Sequence, residues 1–211
     1  MKSNRNINYG LYLVSDRDVL DGRDFIRSLE EAILGGVTLI QLREKNATSS
    51  EFYSLAVKVK ELASKYNIPL IINDRIDIAL AVDADGVHVG QDDMPANVVR
   101  DILGKDKIVG VSTATLEEAL KATEDGADYI GVGALFPTDT KTDTRIVTLD
   151  QLKNIKENIS IPVVGIGGIN ENNIKSVSDT GIDGVAIVSA ILGKEDIREA
   201  AVKLYNDFAR K

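Results

Sequence analysis

The sequence predicts an α/β chain folded as a single (β/α)8 barrel over residues 1–211, with its core at about 9–209, and three observations carry that reading. Eight short β-branched apolar runs recur along the chain. Between them lie segments with apolar residues at i, i+3, i+4 and i+7, the spacing of amphipathic helices. The runs are apolar almost throughout instead of alternating, which means burial on both faces, as in a parallel sheet covered by helices. Eight such units in 211 residues describe a small barrel. An open doubly wound sheet has the same periodicity and differs only in whether strand eight closes onto strand one.

The runs follow in order. YLVSD (12–16) precedes a helical pattern over Asp24–Leu34, and LIQLRE (39–44) precedes one over Ser49–Tyr66. PLIINDR (69–75) leads into Ile76–Val82, and GVHVGQ (86–91) follows. KIVGVST (107–113) is succeeded by a helix over Thr115–Asp125, where Thr115 and Glu118 have capping-box spacing and Gly126 stands at the C-terminal stop. YIGVGALF (129–136) precedes a helix over Thr148–Asn158; IPVVGIGGI (161–169) and GVAIVSA (184–190) complete the strands, and Glu195–Ala209 forms the last helix. No linker or composition shift divides the chain, so one domain is expected.

Composition removes several classes of function. With 33 acidic against 25 basic side chains the net charge is −8, which leaves no electrostatic footprint for nucleic acid or an anionic membrane. The absence of cysteine excludes disulfides, thiolate zinc sites and a cysteine nucleophile. Met1–Tyr9 is polar, and no stretch approaches the roughly 18 apolar residues of a membrane span, so a cytoplasmic protein is expected.

In such a barrel the chemistry sits at the C-terminal ends of the strands. Asp74 ends strand three and Asp93 lies just past strand four, near enough on adjacent strands about 4.8 Å apart to share a hard cation such as Mg2+. The plainer alternative makes Asp74 a helix cap and Asp93 a loop acid. Arg43 and Lys45 fall on one face of strand two, and Lys141 follows strand six, so three cations can converge on a diphosphate; ordinary ion pairs with Glu44 or Glu51 are the alternative. The turn Gly165-Ile166-Gly167-Gly168, ahead of a helix expected near Glu171, can turn backbone N–H groups toward a phosphate, with Ser189 adding a hydroxyl; a tight structural turn would read the same way. His88, the only histidine, reads as a hydrogen-bonding scaffold residue in the barrel interior or at its rim.

With these residues assembled, the chain resembles the thiamine-phosphate synthase family from about residue 12 to 191. The motifs that carry the resemblance are Gln41-Leu42-Arg43-Glu44-Lys45, Ile72-Asn73-Asp74-Arg75, Gly86 to Asp93, Phe136 to Lys141 and Val164 to Ile169. The resemblance implies a TIM barrel that joins hydroxymethylpyrimidine diphosphate to a thiazole phosphate, releasing diphosphate and forming thiamine monophosphate. It implies that Gln41, Arg43, Lys45, Asn73, Ser112 and Lys141 meet the pyrimidine diphosphate, with Arg43, Lys45, Ser112 and Lys141 carrying the catalysis. It further implies that Asp74 and Asp93 hold Mg2+ and that Thr138, Asp139, Thr140, Gly168, Val188 and Ser189 meet the thiazole phosphate. One departure is visible: the family often has a histidine two residues after the strand-five serine, where this chain has Ser112-Thr113-Ala114-Thr115. A related thiazole tautomerase on the same barrel moves protons and would want an acid or base there, so Ala114 favours the synthase over that isomerase or a non-catalytic phosphate binder.

Overall fold

The computed structural model describes residues 7–138 and 145–209. Its eight strands are β1 Leu11–Val14, β2 Leu39–Leu42, β3 Leu70–Asn73, β4 Gly86–Val89, β5 Ile108–Thr113, β6 Tyr129–Val132, β7 Val163–Ile166 and β8 Gly184–Ile187. All pair in parallel and in chain order, and β8 closes on β1 through the register Leu11 to Val185, Tyr12 to Ala186 and Leu13 to Ile187. The barrel is therefore closed, and the open sheet is excluded.

Helices alternate with the strands: α1 Phe25–Leu34, α2 Ser49–Lys65, α3 Ile76–Ala81, α4 Ala96–Leu103, α5 Leu116–Glu124, α6 Leu149–Asn158 and α7 Ile174–Ser178. After β8 come the one-turn α8 Ser189–Leu192 and the closing α9 Ile197–Ala209. Reciprocal capping boxes start α2 (Thr48 with Glu51) and α6 (Thr148 with Gln151). At α5 the expected box is only half made. Thr115 accepts the Glu118 N–H, but the Glu118 carboxylate reaches back one residue further, to the Ala114 N–H at 2.7 Å, and also holds Arg145. Among the described residues no helix is long and apolar enough to cross a membrane.

The strands are shorter than the apolar runs suggest, because the later residues leave the ladder for other partners. After β6, Ala134 N–H donates to the Arg145 carbonyl, Leu135 to Ile166 and Phe136 to Gly167, and the Leu135 side chain is buried in the outer core beneath the helices. GVAIVSA likewise stops at Ile187, and its last two residues open α8.

Alternation along each strand divides the apolar residues into two cores. Outward residues such as Leu11, Leu13, Ile40, Leu42, Val87 and Val109 pack beneath the helices. Inward residues Tyr12, Val14, Leu39, Ile71, Ile108, Tyr129, Val164 and Ala186 fill the barrel, with Tyr9 closing its lower end. Tyr12 and Tyr129 lie edge to face with centroids 5.9 Å apart. Such large rings fit only because the neighbouring strand gives way: a Cβ on Gly110 of β5 would stand 2.2 Å from Tyr129 Cζ. Tyr129 is fully buried and has nowhere to move. Gly110→Ala should therefore destabilise the fold by about 1–3 kcal/mol through overpacking. Urea denaturation checks it: the midpoint should fall with the slope unchanged, and an unmoved midpoint would contradict the packing described.

Candidate active site

The strand ends open into one cavity of about 200 Å³ at the C-terminal mouth of the barrel. From β2, Gln41, Arg43 and Lys45 all reach it, as the period of two requires. Gln41 is buried and donates from Nε2 to the Tyr12 hydroxyl at 2.8 Å. Arg43 is held from β1: its N–H donates to Ser15 Oγ at 3.1 Å, and its guanidinium lies 3.7 Å from the Asp16 carboxylate. Lys45 pairs with Asp74 at 2.5 Å. The surface pairings considered from the sequence are not the ones made. Glu44 points away from its neighbours and takes Arg17 at 2.6 Å, which holds that guanidinium's pKa above its usual range through the hydrogen bond; Glu51 is spent on the α2 cap.

Asn73 and Asp74 line the cavity from the end of β3. Asp74 does not cap α3: it has a positive φ of 60°, its N–H donates to the His88 carbonyl at 2.9 Å, and its carboxylate goes to Lys45 instead of a helix N–H. Asp93 folds back so that its Oδ2 accepts the Gly90 N–H at 2.7 Å, which places it on the same cavity. Neither carboxylate's Oδ1 is hydrogen bonded among the described residues. Among those residues no cluster of three or more His, Cys, Asp or Glu gathers, so the acidic contribution at the mouth is this pair.

Ser112, on β5, meets His88 on β4 with Oγ 2.8 Å from Nε2, and His88 Nδ1 lies 2.9 Å from the Tyr129 hydroxyl. His88 is buried, in the scaffold role read from its alternation with Val87 and Val89. Burial pushes the Tyr12 and Tyr129 hydroxyls well above the ordinary phenol pKa, so both stay protonated.

Thr138, Gly168, Val188 and Ser189 form the opposite wall. Gly168 has φ +63°, and a Cβ there would lie 2.5 Å from the Pro137 carbonyl oxygen, so conformation and close approach both demand glycine. The helix expected near Glu171 begins at Ile174 and runs five residues. Asparagine turns take up the intervening chain: Asn170 N–H donates to Asn173 Oδ1, and Asn172 N–H to Asn170 Oδ1. The N-terminus of α7 is thus set back from the glycine turn, and the anion-binding potential lies in the turn and in Ser189. The same wall borders a wider groove of about 710 Å³ that includes Asp16, Asn170 and Lys194. Asp139, Thr140 and Lys141 lie outside the described residues.

The cavity also contains residues to which the sequence reading assigned no role. Tyr12 and Tyr129 line its floor, and Gly90 supplies the N–H that folds Asp93 inward.

The family model for thiamine monophosphate synthase matches residues 11–191. A thiamine-phosphate synthase from Alkaliphilus oremlandii is 74% identical over 204 residues, covering 97% of this chain and 98% of that protein. One from Clostridium tetani is 59% identical over 205 residues, with 97% and 98% covered. Among solved structures, thiamine phosphate pyrophosphorylase from Pyrococcus furiosus superposes with a TM-score of 0.89 at 42% identity, covering 96% of each chain. The barrel, the order of its motifs and these matches together place the chain in the thiamine-phosphate synthase family, and it is a transferase of thiamine biosynthesis.

Proposed function

We propose that the chain joins hydroxymethylpyrimidine diphosphate to a thiazole phosphate within this one barrel, forming thiamine monophosphate and releasing diphosphate. One observation carries the reading: a single cavity has Arg43, Lys45 and the Asp74–Asp93 pair on one wall and the Gly168 turn with Thr138 and Ser189 on the other. Two anionic substrates can then be held with their reacting ends together.

Gln41, Asn73 and Ser112 take the pyrimidine ring, and Arg43, its backbone held by Ser15 and its guanidinium facing Asp16, grips diphosphate oxygens. Lys45 exchanges Asp74 for a phosphate oxygen; the ammonium is half exposed, so the ion pair given up is a weak one. Asp74 and Asp93 suit magnesium, since two carboxylates with free oxygens are the usual protein share of a site completed by water and phosphate oxygens. Bound there, the ion supplies neutralising charge to the departing diphosphate. Lys141 is assigned to the same leaving group. Thr138, Asp139, Thr140, Gly168, Val188 and Ser189 receive the thiazole phosphate.

In the reaction the methylene C–O bond breaks with its electron pair going to diphosphate, and the thiazole ring nitrogen gives its lone pair to the methylene carbon. No proton changes hands. A site without a histidine at Ala114 is therefore sufficient, and catalysis rests on positioning and on stabilising the charge of the leaving group.

Asp74→Asn and Asp93→Asn should keep the fold and lose most magnesium-dependent activity, because each removes a hard anionic oxygen at a strand end and leaves core volume intact. Activity against magnesium concentration, with circular dichroism as the control, checks this; wild-type turnover at low magnesium in both variants would overturn the metal assignment. Ser189→Ala should raise KM for the thiazole phosphate several-fold with KM for the pyrimidine diphosphate unchanged. An increase confined to the pyrimidine substrate would reverse the division of the cavity.

A further inference from the structure

Five polar side chains cross the barrel interior in an unbroken line: Gln41 Nε2 to Tyr12 Oη at 2.8 Å, Tyr12 Oη to Tyr129 Oη at 2.8 Å, Tyr129 Oη to His88 Nδ1 at 2.9 Å, and His88 Nε2 to Ser112 Oγ at 2.8 Å. The line joins β2, β1, β6, β4 and β5, and Tyr12 and Tyr129 are almost fully buried. Both of its ends face the cavity.

The direction of donation follows from the group that can only donate. Gln41 Nε2 must give a proton to Tyr12. Among the described residues the buried Tyr12 hydroxyl then has Tyr129 Oη as the acceptor for its own proton, and Tyr129 has His88 Nδ1, so pairing both protons sends the donation that way. An imidazole that accepts at Nδ1 carries its proton on Nε2 when neutral, and donates from there to Ser112. Ser112 then has its own hydroxyl proton to offer the cavity, while at the other end Gln41 Oε1, not hydrogen bonded among the described residues, is left as an acceptor.

We infer that this chain sets the polarity of the ring-binding face, with Tyr129 and His88 as positioning residues that make Ser112 a donor and Gln41 an acceptor. The inference rests on the proposed pyrimidine substrate, and its chemistry fits: an aminopyrimidine offers an amino N–H to an acceptor and a ring nitrogen to a donor. Both ends are set by one chain, so a break in its middle is felt at Ser112. Without the Tyr129 hydroxyl, His88 loses the donor that holds Nδ1 as an acceptor, and Ser112 can turn its proton onto an unprotonated Nε2 and away from the substrate. Two small residues make the line possible: Gly110 leaves room for the Tyr129 ring, and a Cβ on Gly131 would press to 3.2 Å from His88 Cε1.

Because the chain has one histidine, its ring nitrogens can be read without ambiguity. Long-range proton–nitrogen correlation spectra of the substrate-free protein labelled with 15N-histidine should show at neutral pH a neutral imidazole protonated at Nε2. An Nδ1-protonated ring or an imidazolium would overturn the inference, and this measurement needs no variant to fold. In Tyr129→Phe the spectrum should move toward mixed tautomers, and KM for the pyrimidine diphosphate should rise about tenfold, the effect of one hydrogen bond, with KM for the thiazole phosphate unchanged. A variant that keeps the wild-type tautomer and the wild-type pyrimidine KM would also overturn it. If the proposed reaction itself were wrong, wild-type protein would form no thiamine monophosphate whatever the tautomer, so the two failures are distinguishable.

Discussion

Closing eight parallel strands into a barrel leaves only alternate residues pointing inward, and what those few positions hold governs the rest of this structure. Here two of them are tyrosines, Tyr12 and Tyr129, whose rings supply apolar volume below and whose hydroxyls supply hydrogen-bonding groups above. The stability of the interior and the polarity of the cavity floor therefore depend on the same side chains. Gly110 serves both: by yielding space to the Tyr129 ring it lets the core close and lets the hydroxyl arrive between Tyr12 and His88.

Above that floor the mouth is organised by charge. The ends of β1 and β2 are tied crosswise, Asp16 to Arg43 and Arg17 to Glu44, so the Arg43 fork is oriented before any ligand arrives. Lys45 and Asp74 neutralise each other across β2 and β3. In the proposed complex, a phosphate on the ammonium and a divalent cation on the carboxylate would replace that pair by two favourable ones. The protein's net charge of −8 does not oppose this, since recognition of the anion is local to a few cations.

Much of this was legible in the sequence because strand burial and strand-end chemistry leave separate marks. Near-continuous apolar runs read as parallel strands, and the polar residues that interrupt them, Gln41, Asn73, Asp74 and Ser112, all line the cavity. Strand length was less legible. Apolar residues such as Leu135 and Phe136 remain buried or half-buried after leaving the ladder, so hydrophobicity does not mark where pairing stops. The helix after the glycine turn was expected too early because Asn170 and Asn173 satisfy the backbone locally, which periodicity cannot register. The roles of Tyr12 and Tyr129 were hidden for another reason: a tyrosine in an apolar strand reads as core, and only the closed register brings their hydroxyls to within 2.8 Å of each other. Whether Asp74 capped a helix or faced the cavity likewise required the backbone, whose positive φ at that residue decides it.

The central claim is that one cavity couples two phosphorylated substrates by displacing diphosphate. Phosphorus NMR of the wild-type protein with hydroxymethylpyrimidine diphosphate, the thiazole phosphate and magnesium follows every phosphorus-containing species at once. The account predicts that inorganic diphosphate and thiamine monophosphate appear at equal rates, as both substrates disappear together. Loss of the pyrimidine diphosphate without matching formation of thiamine monophosphate, or no change in any species, would contradict it.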